Sequence, residues 1–368
     1  MKVAFLTMGR DIGGAKQDVL TLSRQIAAKG HEVYVLAAPG VMDRELEGSA
    51  VKFFPAEFDT RNPIGLWKAS RVLRRFVREK GIELVNPQGF FTAAIAFLMQ
   101  FGLPWLRLPV VTTIHMFSSL DFYKYARLLN LFSYRIITES NCERVRLEGG
   151  GARRDRITVI NNSVDMTRFS PETTRPVLRE TFGISPDETV FGIVARLSPE
   201  KRHQDFIAAA RLVHTQNPAT RFLIVGDGPT LPDIAPLATG TEGYLHFCGM
   251  RRDIPDCLRS LDVFVLCSEV ESLPLSIREA MSMALPVVVT DVGGNREIVA
   301  EGVTGLLVPA LDPQALAAAM LRLAADRTSR EKMGAEARRF CADRFDARSW
   351  ARLTEEKFKH DIDTYHKH

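Results

Sequence analysis

The sequence predicts an α/β protein built from two doubly wound parallel-sheet domains. Short apolar, β-branched runs alternate with helix-length segments along most of the chain. Strand followed by helix, repeated, is the signature of a parallel sheet covered on both faces. The runs fall into two sets, separated by the polar, Pro-containing stretch from Arg168 to Pro186. A length of 368 residues also suits two cores better than one.

The first set opens with VAFLTM, followed by a helix from about Ala15 to Lys29 and the strand HEVYVLA. Later come IELVNP, the apolar helix after Gly89, PVVTTIH, RIITES and ITVINNSVD. The second set runs through TVFGIVARL, RFLIVGDG, YLHFCGM, LDVFVLC, PVVVTD and GLLVP, and helical segments fill the chain from Pro313 onward. These limits give domains at residues 1–168 and 169–345. Two such domains leave a cleft where the carboxyl ends of their strands face each other, and the chemistry is expected there.

Composition narrows the class. Hydrophobic content of 46% and charged content of 25% are ordinary for soluble α/β proteins. Met1 opens directly into a strand, so no signal peptide is expected. The longest apolar run, Phe90 to Leu103, is broken by Gln100 and Gly102 and is too short to span a bilayer. Five cysteines without C-x-x-C spacing read as reduced thiols of a cytoplasmic protein. The net charge of +4 hides an asymmetry: residues 1–165 carry 23 Lys and Arg against 16 Asp and Glu, and the remainder 25 against 28. A basic first half suggests an anionic surface or acceptor on that side.

The run CSEVESLPLSIREAMSMALPVVVTDVGGNREIV carries the most functional information. Its strand leads through Ser272, Leu273 and Pro274 into a helix expected from Leu275 to Ala284. A helix start offers free N–H groups and partial positive charge, which suits phosphate. Glu271 stands just before that start and Glu279 about one turn inside it. One carboxylate can then reach a sugar hydroxyl and the other a ribose, with a pyrophosphate on the amides between them.

Five other features each admit a plainer role. The loop GRDIGGAKQ fails a Walker A pattern, because Ala15 stands where Lys is needed, and it lacks G-x-G-x-x-G. It reads as a helix N-terminus where Gly14 lets an anion approach, or as a tight turn with no ligand. Arg196 and Lys201 follow the strand FGIVARL and could clamp a pyrophosphate, or merely flank a helix start. His115 ends PVVTTIH and could position a sugar hydroxyl, or be structural. Asp361 and Asp363 form a literal D-x-D but read as a solvated helix end, and no other cluster has metal-ligand spacing. The segment IGLWKASRVLRRFVREKG is amphipathic: Leu66, Ala69, Leu73 and Phe76 share one face, while Lys68, Arg71, Arg74, Arg75 and Arg78 crowd the others. It suits an anionic membrane surface, or packing on its own domain. Nucleic acid is not expected, since no aromatic platform or binding module accompanies the charge.

Taken together, ARLSPEK, LIVGDGP, FCGM, ESLPLSIREAM with its E-x7-E spacing, PVVVTDVGGNREIV and EGVTGLLVP resemble the retaining glycosyltransferases of the GT-B fold, family four. In the first half GGAKQDVLTLSRQIAAKGHEVYVL, the TIH strand end and NNSVD fit as well, so the resemblance covers nearly the whole chain. It implies two Rossmann-like domains, with the terminal segment 346–368 returning to the first. It implies a nucleoside-diphosphate sugar, UDP-linked by preference, bound mainly by the second domain without a metal or other cofactor. Arg196 and Lys201 would hold the pyrophosphate with backbone amides at Leu273, Pro274 and Leu275. Gly13, Gly14 and Gly226 would line the donor, with Arg251 near the base. Glu279 would take the ribose, Glu271 the sugar hydroxyls, and His115 the sugar near its reacting carbon. Ala195 and Arg202 depart from the family's pattern, standing where many members have glycine.

The expectation is a cytoplasmic, metal-independent, retaining hexosyltransferase. Its acceptor would be a glycan or lipid-linked molecule of cell-envelope polysaccharide or glycolipid synthesis, reached peripherally at the inner membrane face. The alternative is a non-catalytic sugar-nucleotide-binding or scaffolding partner in a glycan assembly complex. A sugar-nucleotide epimerase or hydrolase fits the Arg–Lys pair and the two glutamates less well. A dehydrogenase is disfavoured because no acidic residue ends the second strand, LAAPG.

Overall fold

The computed structural model describes residues 1–8, 14–58, 62–101, 107–115, 119–365 and 367, without the side chains of 119–124. The chain forms two compact units: Met1–Ser163 with Ala347–His368, and Val164–Asp346. The division falls a few residues before the position expected from sequence. Val164 belongs to the second unit because its N–H donates to the carbonyl of Phe345 at 3.0 Å, and it bridges Asp346.

Unit 1 carries β1 (Lys2–Leu6), β2 (Glu32–Ala37), β3 (Lys52–Pro55), β4 (Leu84–Pro87), β5 (Val111–Ile114), β6 (Arg135–Thr138) and β7 (Ile157–Val159). They pair in parallel as β3-β2-β1-β4 and β5-β6-β7. Isolated bridges Val85–Val110 and Gln88–Thr113 join the two groups. β3 was not expected; KFFP is short, half-exposed and capped by a proline, so it shows little of the apolar run that marks the other strands.

The last helix, Ala347–Tyr365, packs beside Gly14–Ala28 and puts Trp350, Ala351 and Phe358 into the unit 1 core. Asp361 is wholly buried there, in ion pairs with Lys357 and with Arg135. The D-x-D is therefore not a solvated helix end: its first carboxylate is a structural anchor.

Unit 2 carries β8 (Thr189–Val194), β9 (Thr220–Val225), β10 (Leu245–Gly249), β11 (Val263–Leu266), β12 (Val287–Thr290) and β13 (Gly305–Val308). The order is β10-β9-β8-β11-β12-β13, parallel throughout. This is the doubly wound Rossmann order, which reverses direction beside β8 and places ligands beyond the carboxyl ends at that point. The polar stretch between the two sets of strands packs into this unit: Phe169, Leu178 and Ile184 are buried in its core. The helix after β11 stops at Ser282, two residues earlier than expected, because Ala284 turns left-handed with φ 58°.

The apolar stripe of helix Pro63–Lys80 is not free for a partner. Ala69, Leu73 and Phe76 lie in the unit 1 core, and Arg74 donates to the carbonyl of Met99 at 2.9 Å. Lys68, Arg71, Arg75 and Arg78 stay exposed, beside Ile64 and Trp67. Among the described residues no helix is long and apolar enough to cross a membrane.

Candidate active site

The site in unit 2 is assembled at the carboxyl ends of β8, β9 and β11. β8 runs out through Ala195, Arg196 and Leu197 into a 3-10 turn at Pro199–Lys201. Glycine makes this path possible. A Cβ on Gly226 would lie 2.0 Å from the Ala195 carbonyl oxygen, and one on Gly228 would lie 2.2 Å from that of Leu197. Gly226 therefore serves the site by letting the β8 loop lie flat against the β9 loop, with Leu197 N–H donating to Asp227 O at 3.0 Å. Arg202 holds the left-handed φ of 54° that glycine would adopt freely. Its guanidinium grips Asp205 through Nε–Oδ2 at 3.0 Å, which offsets some of that strain.

Lys201 and Glu271, seventy residues apart in sequence, meet directly: Nζ to Oε1 is 2.5 Å. Ser268 Oγ donates to the same oxygen at 2.6 Å. Both bonds fall on Oε1, so Oε2 of Glu271 is the oxygen left for a ligand. The carboxylate is nearly buried, and Lys201 supplies the counter-charge that makes such burial tolerable.

Two glycines fix the loop carrying Glu271. A Cβ on Gly293, at φ 55°, would stand 1.9 Å from the Glu271 carbonyl oxygen, and one on Gly294 2.0 Å from that of Ser272. Thr290 Oγ1 donates to Ser268 O at 2.6 Å, and Asn295 Nδ2 to Thr290 O at 2.8 Å. The TDVGGN turn after β12 is therefore the bed on which the acidic loop lies.

Helix Leu275–Ser282 begins after Pro274 with no side chain capping it, so its first amides remain available. The Ser272 hydroxyl beside it is buried and has no hydrogen-bond partner. Arg278, fully buried, donates to Leu273 O at 3.1 Å and ties the loop to the helix. Burial pushes the half-buried Glu279 carboxyl up to about 7, against the opposing pull of Arg168 and Arg278. His203, at the start of the next helix, is buried beside Lys201 without a partner for either ring nitrogen, and burial takes its pKa down to about 4. Arg196 is exposed and in no ion pair among the described residues, whereas Arg251, beyond β10, is committed to Asp253 at 2.9 Å.

The other candidates lie in unit 1. Gly13 lies outside the described residues, and Gly14 is an open position at the start of its helix. His115 follows β5, with Nδ1 bonded to Glu139 and Nε2 2.7 Å from Gln88 Oε1. Gln88 turns its amide nitrogen to Asn86, which fixes Oε1 as the atom facing the ring. Burial works against the His115 charge, but Glu139, with Asp18 and Glu143, raises its pKa. Asp18, His115 and Glu139 bring ligand atoms within 4.8 Å of one another, the one such grouping among the described residues.

Sequence reasoning missed Ser268, Gln88, Asp18, Glu139 and Asn162 as members of these sites. Ser268 had a signal, being a hydroxyl at the end of β11 three residues before Glu271. Asp18 and Asn162 lie in runs that fit the family pattern, but their contact spans 144 residues of chain and leaves no local sign.

Comparison with known proteins identifies the family and the fold. Residues 12–168 match the family model for Glycosyltransferase Family 4, and residues 188–326 that for Glycosyl transferases group 1. The two together take in most of the chain, and the protein belongs to this glycosyltransferase family. One relative, the UDP-Gal:alpha-D-GlcNAc-diphosphoundecaprenol alpha-1,3-galactosyltransferase of Escherichia coli, is 35% identical over 178 residues. That match spans 47% of this chain and 46% of the enzyme, about half its length. N-acetyl-alpha-D-glucosaminyl L-malate synthase of Bacillus anthracis is 25% identical over 365 residues, 92% of each chain. The Anabaena protein HepE, solved in complex with UDP and glucose, superposes with a TM-score of 0.86 at 23% identity. It covers 98% of this chain and 99% of its own, so the fold is the two-domain GT-B architecture.

Proposed function

We propose that the protein transfers a sugar, with retention, from a UDP-sugar to a glycan or lipid-linked acceptor of the cell envelope, and that the donor diphosphate needs no metal. The observation that carries this reading is the Lys201–Glu271 pair set beside the uncapped start of helix Leu275–Ser282. Lys201 and Arg196 supply the positive charge that a cation would otherwise bring to the diphosphate, and the helix amides add theirs. Glu271 Oε2 accepts from a hydroxyl of the donor sugar, and Glu279 accepts from the ribose.

In the reaction the bond from the sugar's anomeric carbon to the phosphate oxygen breaks. The acceptor oxygen bonds to that carbon on the same face, and its proton passes to the departing phosphate oxygen. His115, assigned to the sugar by family resemblance, has both ring nitrogens engaged and therefore acts as a fixed polar group, not a free base. The relative from Escherichia coli, whose name specifies a UDP-linked donor and a lipid diphosphate acceptor, supports both substrate classes. The exposed cations of helix Pro63–Lys80 support peripheral contact with the inner, cytoplasmic membrane face.

A thermal-shift screen of UDP-, GDP-, ADP- and dTDP-sugars with and without EDTA tests the donor assignment. UDP-sugars should raise Tm in EDTA, and Arg196→Ala should blunt the response. Stabilisation by no donor, or only with added metal, would sink it.

A further inference from the structure

Asn86 on β4, Gln88 just after it and His115 after β5 form a relay whose donors and acceptors follow in order from one end. It starts at a group with no choice. The Val111 carbonyl only accepts, so buried Asn86 turns its Nδ2 to it and to Thr113 Oγ1, the latter at 3.0 Å. Asn86 Oδ1 then faces Gln88 and can only accept, and Gln88 Nε2 donates to it at 2.5 Å. That leaves Gln88 Oε1 toward the His115 ring, 2.7 Å from Nε2. The other ring nitrogen, Nδ1, faces Oε1 of Glu139. Both nitrogens meet acceptors, and a neutral imidazole has a proton for only one of them.

We infer that Asn86 and Gln88 are positioning residues that hold His115 as an imidazolium, so that unit 1 offers the reaction a fixed positive charge and no base. The role in the reaction rests on the transferase reading; the protonation state does not. Between His115 and Glu139 the shared proton stays on the ring, because imidazole is the more basic of the two groups. Burial opposes the charge, but Glu139 outweighs it, helped by Asp18 on the first helix and Glu143 on helix Asn141–Gly149. Asp18 is kept in place by Asn162 Nδ2, which donates to its Oδ2 at 2.6 Å. A ring carrying both protons cannot take one from an incoming hydroxyl, which leaves the departing phosphate as that proton's destination. Nor can it ligate a metal, which requires a bare ring nitrogen. The grouping of Asp18, His115 and Glu139 is thus built around the charge of the imidazolium itself.

Long-range nitrogen–proton NMR correlation spectra of the full chain, isotope-labelled on histidine, test this, with His115→Gln to assign the ring. At about pH 7, where a free imidazole of pKa about 6.5 is mostly neutral, both His115 nitrogens should carry protons. Gln88→Leu removes the acceptor at Nε2 and should lower the ring's proton affinity about tenfold, moving its titration down by about one pH unit. Asn86→Ala leaves every contact of the ring in place, yet should move the titration the same way, because the freed Gln88 amide can rotate and turn its NH2 to Nε2. Adding Gln88→Glu to Asn86→Ala should restore the proton, since a carboxylate has no donor to turn. A merely structural role for Asn86 gives no such rescue. Gln88 is only part-buried, so its leucine variant decides the matter if Asn86→Ala fails to fold. A singly protonated ring in the native chain, or a titration that neither Gln88→Leu nor Asn86→Ala moves, would overturn the inference. So would saturable binding of Zn²⁺ that is lost in His115→Gln. A UDP-sugar thermal shift on the same samples reads the transferase assignment separately, so the failure of one is distinguishable from that of the other.

Discussion

Glu279 sits half-buried near the start of a helix with its carboxyl held at about 7 by burial, against the pull of Arg168 and Arg278. The shift has two consequences of opposite sign. In the free protein the folded state binds a proton that the unfolded chain, with a value near 4.5, releases sooner. This group's stabilisation is therefore full below 4.5 and is lost as pH rises through about 7. A donor whose ribose hydroxyls need an ionised acceptor responds the other way. Between pH 6 and 8 the Tm of the free protein should fall while the increment from a UDP-sugar grows, with affinity changing at most about tenfold per pH unit. Glu279→Gln should flatten both trends in a thermal-shift titration, and an unchanged pH profile would remove Glu279 from the donor site. Glu271 and Glu279 were legible because their spacing along one short stretch carries the chemistry. The pairing of Glu271 with Lys201 and Ser268 was not, since neither bond leaves a local pattern in the sequence.

Two loops show what glycine does for the site. Gly293 and Gly294 let the acidic loop rest on the turn after β12, with carbonyl oxygens where a Cβ would have to be. Gly293→Ala adds a left-handed strain of about 1–2 kcal/mol and a clash that displaces Glu271. It should cost about 2 kcal/mol or more in denaturant unfolding and abolish the donor-induced Tm rise. Gly302→Ala, with φ 72° and open space around it, should show the strain alone and keep the donor response. Helix Pro63–Lys80 makes the complementary point. Its apolar stripe was visible in sequence, but periodicity alone does not say what covers a stripe, and the unit 1 core covers this one. Only its cations and the Ile64–Trp67 edge reach outward. Lys68→Glu, Arg71→Glu and Arg75→Glu together should abolish co-sedimentation with phosphatidylserine vesicles, each cation contributing about 1 kcal/mol near an anionic surface. Unchanged pelleting would remove the case for membrane contact.

At the scale of the whole chain, both sheets were legible because buried parallel strands read as near-continuous apolar runs. β3 escaped for lack of such a run, and the domain limit lies a few residues early because Val164 pairs with Phe345 and Asp346, a long-range contact that leaves no local pattern. Unit 2 begins and ends at neighbouring positions, Val164 paired with Phe345 and Asp346. Residues 164–346 should accordingly unfold as one cooperative transition when produced alone, and should keep UDP-sugar binding measurable by calorimetry. A non-cooperative melt would show that the excised unit is not an independent folding body.

The same layout orders the protein's birth. Unit 2 has all of its strands once Asp346 has been synthesised, whereas unit 1 still lacks the helix that brings Trp350, Ala351 and Phe358 to its core. On the ribosome, the half of the chain made first is thus the half completed last. Its apolar core stays incomplete until that helix has been made.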